Sequence, residues 1–222
     1  MNKKKLVIAM DGPAGAGKST VARLVAKKMN YTYIDTGSMY RAVAWKVLKE
    51  DKGTSKTAIL DVLKNIQLQL KYGNDKVLVF MDEFDITEQI RTPEVTGLVS
   101  KVAQIGEVRA KMVNLQQNMA LNGGVVMDGR DICTHVLPNA EIKVFLTASI
   151  EERAMRRWKE LKNKGYEIGL KELQLEIAAR DKADSEREIS PLIQAKDAVL
   201  IDTTNMSIHE AVDSIIKLCE RA

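Results

Sequence analysis

Five short apolar runs punctuate the chain: Leu6 to Met10, Tyr33 to Ile34, Val125 to Met127, Ile142 to Leu146 and Val199 to Ile201. None alternates cleanly with polar positions, which is how strands covered on both faces read. Helical periodicity fills the intervals, beginning with Val21, Leu24, Val25 and Met29. Strand, helix, strand order predicts an α/β domain of three layers around a five-stranded parallel sheet. Three helix starts are signed. Ser149 with Glu152 and Ser207 with Glu210 have the spacing of capping boxes, and Thr92 precedes Pro93, a proline at the first helical position. The helix after Ser149 carries Arg153, Arg156 and Arg157 at steps of three and four, so their guanidinium groups share a face.

One stretch breaks the pattern. Ile66, Leu68 and Leu70 alternate with polar residues, Gly73 and Asn74 supply a turn, and Val77, Val79, Phe84 and Ile86 follow. This predicts a small antiparallel sheet inserted over residues 64–92, with too few apolar residues to stand alone. A chain of 222 residues buries roughly 70 to 75% of its unfolded surface, so residues 1–222 are expected to form a single domain with appendages. Repeats and low-complexity tracts are absent.

Composition narrows the function classes. The formal net charge is only +4, with basic residues interleaved with acidic ones along stretches such as Glu151 to Lys164. A nucleic-acid binder concentrates its charge more strongly. The basic stretch Met1 to Lys5 precedes an apolar run that Asp11 ends too soon for a signal segment or a membrane span. Cys133 and Cys219 form no C-x-x-C pair and have no zinc-type His partners, which suits a reducing cytoplasm. A monomer that binds small anions in the cytoplasm, without membrane or nucleic-acid partners, is the expectation; no long exposed apolar stripe argues for an obligate dimer.

Gly12, Pro13, Ala14, Gly15, Ala16, Gly17, Lys18 and Ser19 match G-x-x-x-x-G-K-[ST], directly after the first buried run and before a helical pattern. Small residues let backbone N–H groups close around a bulky anion, and the next helix presents its positive end to the same place. Gly12 to Thr20 is therefore the expected ATP-binding segment of a P-loop NTPase fold. Lys18 is expected on the β and γ phosphates, and the Ser19 hydroxyl on a magnesium ion.

Two further clusters end buried runs. Asp35, Thr36, Gly37, Ser38, Met39, Tyr40 and Arg41 follow the second, and Asp128, Gly129, Arg130 and Asp131 follow the third. Both fall at the carboxyl edge of the sheet, where open α/β folds bind ligands. The order of the Asp11 to Thr20 loop, the Asp35 to Arg41, Ile90 to Val95 and Asp128 to Asp131 segments, and Arg180 to Arg187, with the antiparallel insertion among them, resembles the bacterial cytidylate kinases over nearly the whole chain. The resemblance implies transfer of the γ-phosphoryl group of ATP to CMP or dCMP, with Mg2+. It places Arg41 and Arg130 on the acceptor phosphate, with Thr36 in the same site, and Tyr40, Arg180 and Asp184 along the sugar. Ser100, Arg109, Asp131 and Arg187 read the cytosine edge. It makes the insertion a monophosphate-binding region. Because phosphoryl transfer must exclude water, residues 153–169 are expected to form a helical lid whose Arg153, Arg156 and Arg157 close on the transferred group, with Gly165 and Gly169 flanking the lid loop. A carboxylate accepting from the cytosine amino group penalises uracil, which inverts that donor.

Spacing bears on part of this set independently. Ile177, Arg180, Asp184 and Arg187 fall at steps of three and four, so they are expected on one helical face, either as a ligand-reading row or as an intrahelical ladder of ion pairs. Cys133 and His135 stand where the family has a glycine and a small aliphatic residue; both are expected to be structural, and the methionines to be core filler. Two alternatives share parts of the pattern. One is a kinase of the same scaffold acting on UMP, AMP, shikimate or a coenzyme precursor. The other is a nucleotide-gated module, against which stand the absence of N-K-x-D and the presence of strand-end arginines.

Overall fold

All five apolar runs are strands, and helical segments separate them as expected. The chain runs β1 (Val7–Asp11), α1 (Lys18–Met29), β2 (Thr32–Asp35), α2 (Thr36–Glu50), α3 (Lys56–Asn65), β3 (Leu68–Gly73), β4 (Lys76–Met81) and β5 (Phe84–Asp85). It continues α4 (Pro93–Ala103), α5 (Gly106–Ala120), β6 (Val125–Asp128), β7 (Ile142–Thr147), α6 (Ile150–Asn163), α7 (Leu170–Ser185), β8 (Val199–Asp202) and α8 (Ile208–Glu220). The computed structural model describes residues 5–73, 76–163 and 165–222. Met1 to Lys4, Asn74, expected in a turn, and Lys164, expected in the lid, lie outside them. The larger sheet has the order β2-β6-β1-β7-β8, and β3, β4 and β5 form a second sheet.

The chain divides into two compact units, Met1–Tyr31 with Gly123–Ala222, and Thr32–Asn122. In the first, β1 pairs in parallel with β6 and β7, and β7 with β8. Ile8, Ala9, Met10, Val126, Met127, Val144 and Leu146 are fully buried, which explains why these strands do not alternate in sequence. α1 and α8 pack together, covering Val21, Ala22, Val25 and Ala26 of the one and Ala211, Val212, Ile215 and Cys219 of the other. α6 and α7 close on their own cluster of Ala154, Leu173 and Ile177, with Ile150, Trp158 and Leu161 around it.

The helix starts resolve in detail. Ser207 and Glu210 form a complete capping box. Thr92 accepts from Val95 N–H at 3.3 Å, with Pro93 in the first turn. Ser149 accepts from Glu152 N–H at 3.2 Å, but the second arm of that box is diverted, because the Glu152 carboxylate accepts from Arg156 at 2.8 Å. A charged donor is the stronger partner for a carboxylate.

The second unit, Thr32–Asn122, is wider than the insertion expected over residues 64–92. α2 packs against α3, α4, β4 and the short 3-10 turn Gln89–Arg91, burying Met39, Ala42, Val43, Val47, Ile59, Val79, Met81, Ile90 and Val95. The antiparallel sheet thus rests on helices and is not left to its own few apolar residues. Its second hairpin turns at Asp82 and Glu83, both at positive φ, 50° and 72°, the conformation that matches strand twist in two-residue turns.

Candidate active site

β1 ends in the first unit with Asp11, and the glycine loop follows. Gly12 has φ 147°, and a Cβ there would lie 1.9 Å from the Leu146 carbonyl oxygen, so β7 admits only glycine at this position. Gly17 caps α1 in the left-handed region at φ 91°, with no side-chain cap and no acidic residue in the first turn. The leading N–H groups of α1 are therefore open to an anion. Lys18 is buried and donates to Pro13 O at 2.7 Å, folded across the mouth of its own loop. Burial, and then the positive Arg130, push its ammonium well below the usual lysine range, while Asp128 and Asp11 pull it back and Arg180 lowers it further. Lys18, Arg130 and Arg180 are three cations close enough to repel one another, an arrangement that favours an arriving polyanion.

Ser19 Oγ donates to Asp128 Oδ2 at 3.0 Å. Parallel register puts Met10 opposite Asp128, and this pairing brings the end of β6 beside the loop. A hydroxyl and a carboxylate are hard oxygen donors of the kind magnesium takes when phosphates and water complete its shell, so the residues fit the ion. Among the described residues no group of three or more His, Cys, Asp or Glu could hold a metal alone.

After β6 the chain turns through Gly129, Arg130 and Asp131 into a π-helix, Ile132–Val136. Arg130 Nε donates to Asp184 Oδ2 of α7 at 2.8 Å, and Arg187 lies 3.5 Å from Asp131 Oδ1 in a second ion pair. Burial pushes the Asp184 carboxyl up, but Arg130, with Arg180 and Arg187 behind it, more than offsets this and leaves it below the usual carboxylate range. The expected shared face holds for Ile177, Arg180 and Asp184. Arg187 is off it, because α7 ends at Ser185 and Glu186 is its C-cap. The chain after the helix returns, with Leu192 N–H donating to Asp184 O at 2.8 Å and Arg187 Nε to Ser190 O. The two ion pairs reach the β6 turn from Asp184 of α7 and from Arg187 just beyond the helix, so they tie separate elements together.

The three arginines of α6 part company. Arg153 is buried, donating to Ala148 O at 2.8 Å and to the loop carbonyl Ala14 O at 3.0 Å, and pairing with Asp181 of α7 at 2.6 Å. Arg156 pairs with Glu152 and donates to Thr203 O at 2.7 Å and Thr203 Oγ1 at 3.1 Å, with a longer contact of 3.4 Å to Ala16 O. Arg157 turns outward to Glu160 at 2.8 Å. Cys133 and His135 sit on the π-helix and not on a strand edge. The Cys133 thiol is buried against Ala9 O and Val144 O, and burial pushes its pKa far up, which suits packing and not nucleophilic chemistry. His135 is exposed beside Thr134.

In the second unit, Asp35 caps α2 by accepting from Ser38 N–H at 3.0 Å, and this presents Thr36, Tyr40 and Arg41 on the first turns. Arg41 donates to Thr96 Oγ1 of α4 at 2.8 Å, and Ser100 lies one turn further along that helix. Arg109 of α5 is buried, donates to Ala103 O at 3.2 Å and places its guanidinium 5.5 Å from the centre of the Tyr40 ring. Within this unit the structure thus joins Tyr40 to Arg109, and Arg41 to the Ser100 helix.

The family model described as cytidylate kinase matches residues 8–221. The chain belongs to the cytidylate kinase family. It is 52% identical over 216 residues, 97% of this chain and 96% of the relative, to a cytidylate kinase of Bacillus cereus. It is 53% identical over 214 residues, 96% and 95% of the two chains, to one of Bacillus thuringiensis. It is thus a transferase of the nucleoside monophosphate kinase class. A solved structure of an uncharacterized protein from Eubacterium ventriosum shares the fold at a TM-score of 0.55 and 14% identity, over 99% of this chain and all of that one.

Three residues that contact predicted site residues within their own units carry no role in the sequence reading. Asp128 had only its place in a strand-end cluster; an aspartate in parallel register with the strand before the glycine loop is the signal that singles it out. Thr96, which receives Arg41, stands four residues after the helix cap Thr92, to whose carbonyl it donates at 2.9 Å. Asp181, the partner of Arg153, has no signal in sequence, since nothing local distinguishes it from the other acids of α7.

Proposed function

We propose that this cytidylate kinase family member transfers the γ-phosphoryl group of ATP to CMP or dCMP, yielding ADP and CDP or dCDP. The observation that carries the reading is the double ion pair Arg130–Asp184 and Asp131–Arg187, 2.8 and 3.5 Å, on the strand edge that bears the glycine loop. Guanidinium and carboxylate groups held side by side by ion pairs suit a ligand with a phosphate at one end and a cytosine edge at the other. Arg130 and Arg41 take the acceptor phosphate, with Thr36 in the same site, Tyr40, Arg180 and Asp184 the sugar, and Ser100, Arg109, Asp131 and Arg187 the base.

The donor lies on the Gly12 to Thr20 segment, with Lys18 released from Pro13 O to the β and γ phosphates. Ser19 and Asp128 would hold magnesium, which supplies charge neutralisation across the phosphates. Phosphoryl transfer between two phosphate oxygens needs no enzyme nucleophile; alignment and charge stabilisation are the catalysis. Residues 153–169 act as the lid. Arg156, Arg157 and Arg153 bring positive charge to the migrating group, and closure keeps water from competing as acceptor. We further propose a monomer working in the cytoplasm, as two free, buried cysteines suit a reducing compartment.

A coupled assay of ADP release with CMP, dCMP, UMP and AMP in parallel tests this. CMP or dCMP should support fast turnover, and ATP alone almost none. ATP consumption that ignores CMP, or a preference for UMP or AMP, overturns the assignment.

A further inference from the structure

The Arg130–Asp131 turn is held from beneath by a residue to which the reaction assigns no part. Asp11 closes β1 immediately before the glycine loop and is fully buried. Its Oδ1 accepts from Ile132 N–H and its Oδ2 from Cys133 N–H, each at 2.8 Å. These are the two leading amides of the π-helix, whose own N-cap residue, Asp131, offers no side-chain cap. Leading N–H groups of a helix have no partner within it, and in a core they must find one. Asp11 is an N-cap supplied from a neighbouring strand.

A single-turn π-helix is a rare element, frequently found at functional sites. The fit of Asp11 is costly. Burial raises its carboxyl above the ordinary value, the Cys133 and Ile132 N–H bonds lower it, and the nearby Asp131 raises it again. A strand end that needed only packing is better filled by an apolar side chain. What the carboxylate supplies is direction. Asp131 is bonded to Ile132, and Arg130 precedes it, so the two amide bonds fix where the acceptor-facing side chains leave the backbone. The 2.8 Å contact of Arg130 with Asp184 tolerates little displacement.

We propose that Asp11 is a positioning residue for acceptor selection: it clamps the Arg130–Asp131 turn from the strand that leads into the donor loop, so that the base-reading and phosphate-gripping side chains keep their aim. The inference rests on the assignment of Arg130 and Asp131 to the acceptor. Asp11→Asn keeps the shape but points an NH2 at one of the two N–H groups. It should raise KM for CMP about tenfold and lower the CMP-over-UMP ratio of kcat/KM by a similar factor, leaving KM for ATP within about twofold.

Val144→Ala, a cavity in the adjacent buried strand β7, serves as the control. It lowers Tm and leaves the CMP-over-UMP ratio unmoved. An unchanged ratio in Asp11→Asn, or an equal shift in Val144→Ala, overturns the inference while the acceptor assignment stands. A parent enzyme that does not prefer CMP overturns both. If Asp11→Asn does not fold, amide exchange in the parent decides. The Ile132 and Cys133 amides should exchange as slowly as Ala9 in β1, and exchange at the rate of unbonded loop amides sinks the clamp.

Discussion

The glycine loop and the Arg130–Asp131 turn occupy the same edge of the first unit's sheet, yet they are made in opposite ways. The loop is contiguous, and its chemistry is that of its own backbone: a glycine that β7 will not let be anything else, open N–H groups at the start of α1, one lysine. The turn is assembled from side chains that meet across the fold, Arg130 with Asp184 and Asp131 with Arg187, on a backbone fixed by Asp11. A backbone cradle survives changes elsewhere in the chain, whereas a side-chain constellation depends on every element that aims it. Damage to the first should therefore stop the reaction, and damage to the second should change what it accepts.

Lys18→Ala tests that division with the largest effect. Its loss should lower kcat by about a thousandfold or more with every acceptor alike, measured by coupled ADP release; a normal rate would break the loop reading. Next come the ion-paired groups of the turn. Arg130→Ala and Asp184→Ala should each cut kcat/KM for CMP by about a hundredfold, with the double variant much less than the product, since either single change strands a partly buried charge. Strictly additive losses would mean that the pair is no unit.

Smaller again is Arg156→Ala. In this conformation Arg156 holds Thr203 O and Glu152, contacts that closure over a phosphoryl group must exchange. Its removal should lower kcat about tenfold and leave KM for CMP unchanged. Equal turnover in variant and parent would remove Arg156 from the lid.

What could be read without coordinates follows the same line. The five strands, the parallel order, the caps at Ser207 and Thr92 and the glycine loop depend on neighbours in sequence, and each was legible. The residues proposed for the acceptor were legible only as a row of arginines and acids, because spacing tells which residues share a helix face and not what that face meets. Spacing also carried Arg187 onto a helix that stops at Ser185. The partners Asp181, Thr96 and Asp11 lie beyond local pattern altogether, as each is defined by the element packed against it.

The mildest prediction concerns pH, and it separates the two regions without altering the loop. Asp184 is held below its ordinary value, chiefly against burial, by Arg130. A depressed carboxylate contributes stability that is present above its unfolded pKa, about 3.9, and lost as pH falls through the lower folded value. Between pH 5 and 8 (taken as about the working range) the Tm gap between parent and Asp184→Asn should stay constant. Below about pH 4 it should shrink as the parent's carboxylate takes up its proton and the tie from α7 to the turn weakens. Thermal unfolding of both proteins across that range checks it. A gap that widens in acid would mean that Asp184 is strained in the fold rather than stabilised by it, and the turn would then have to be held by Arg187 and Asp11 alone.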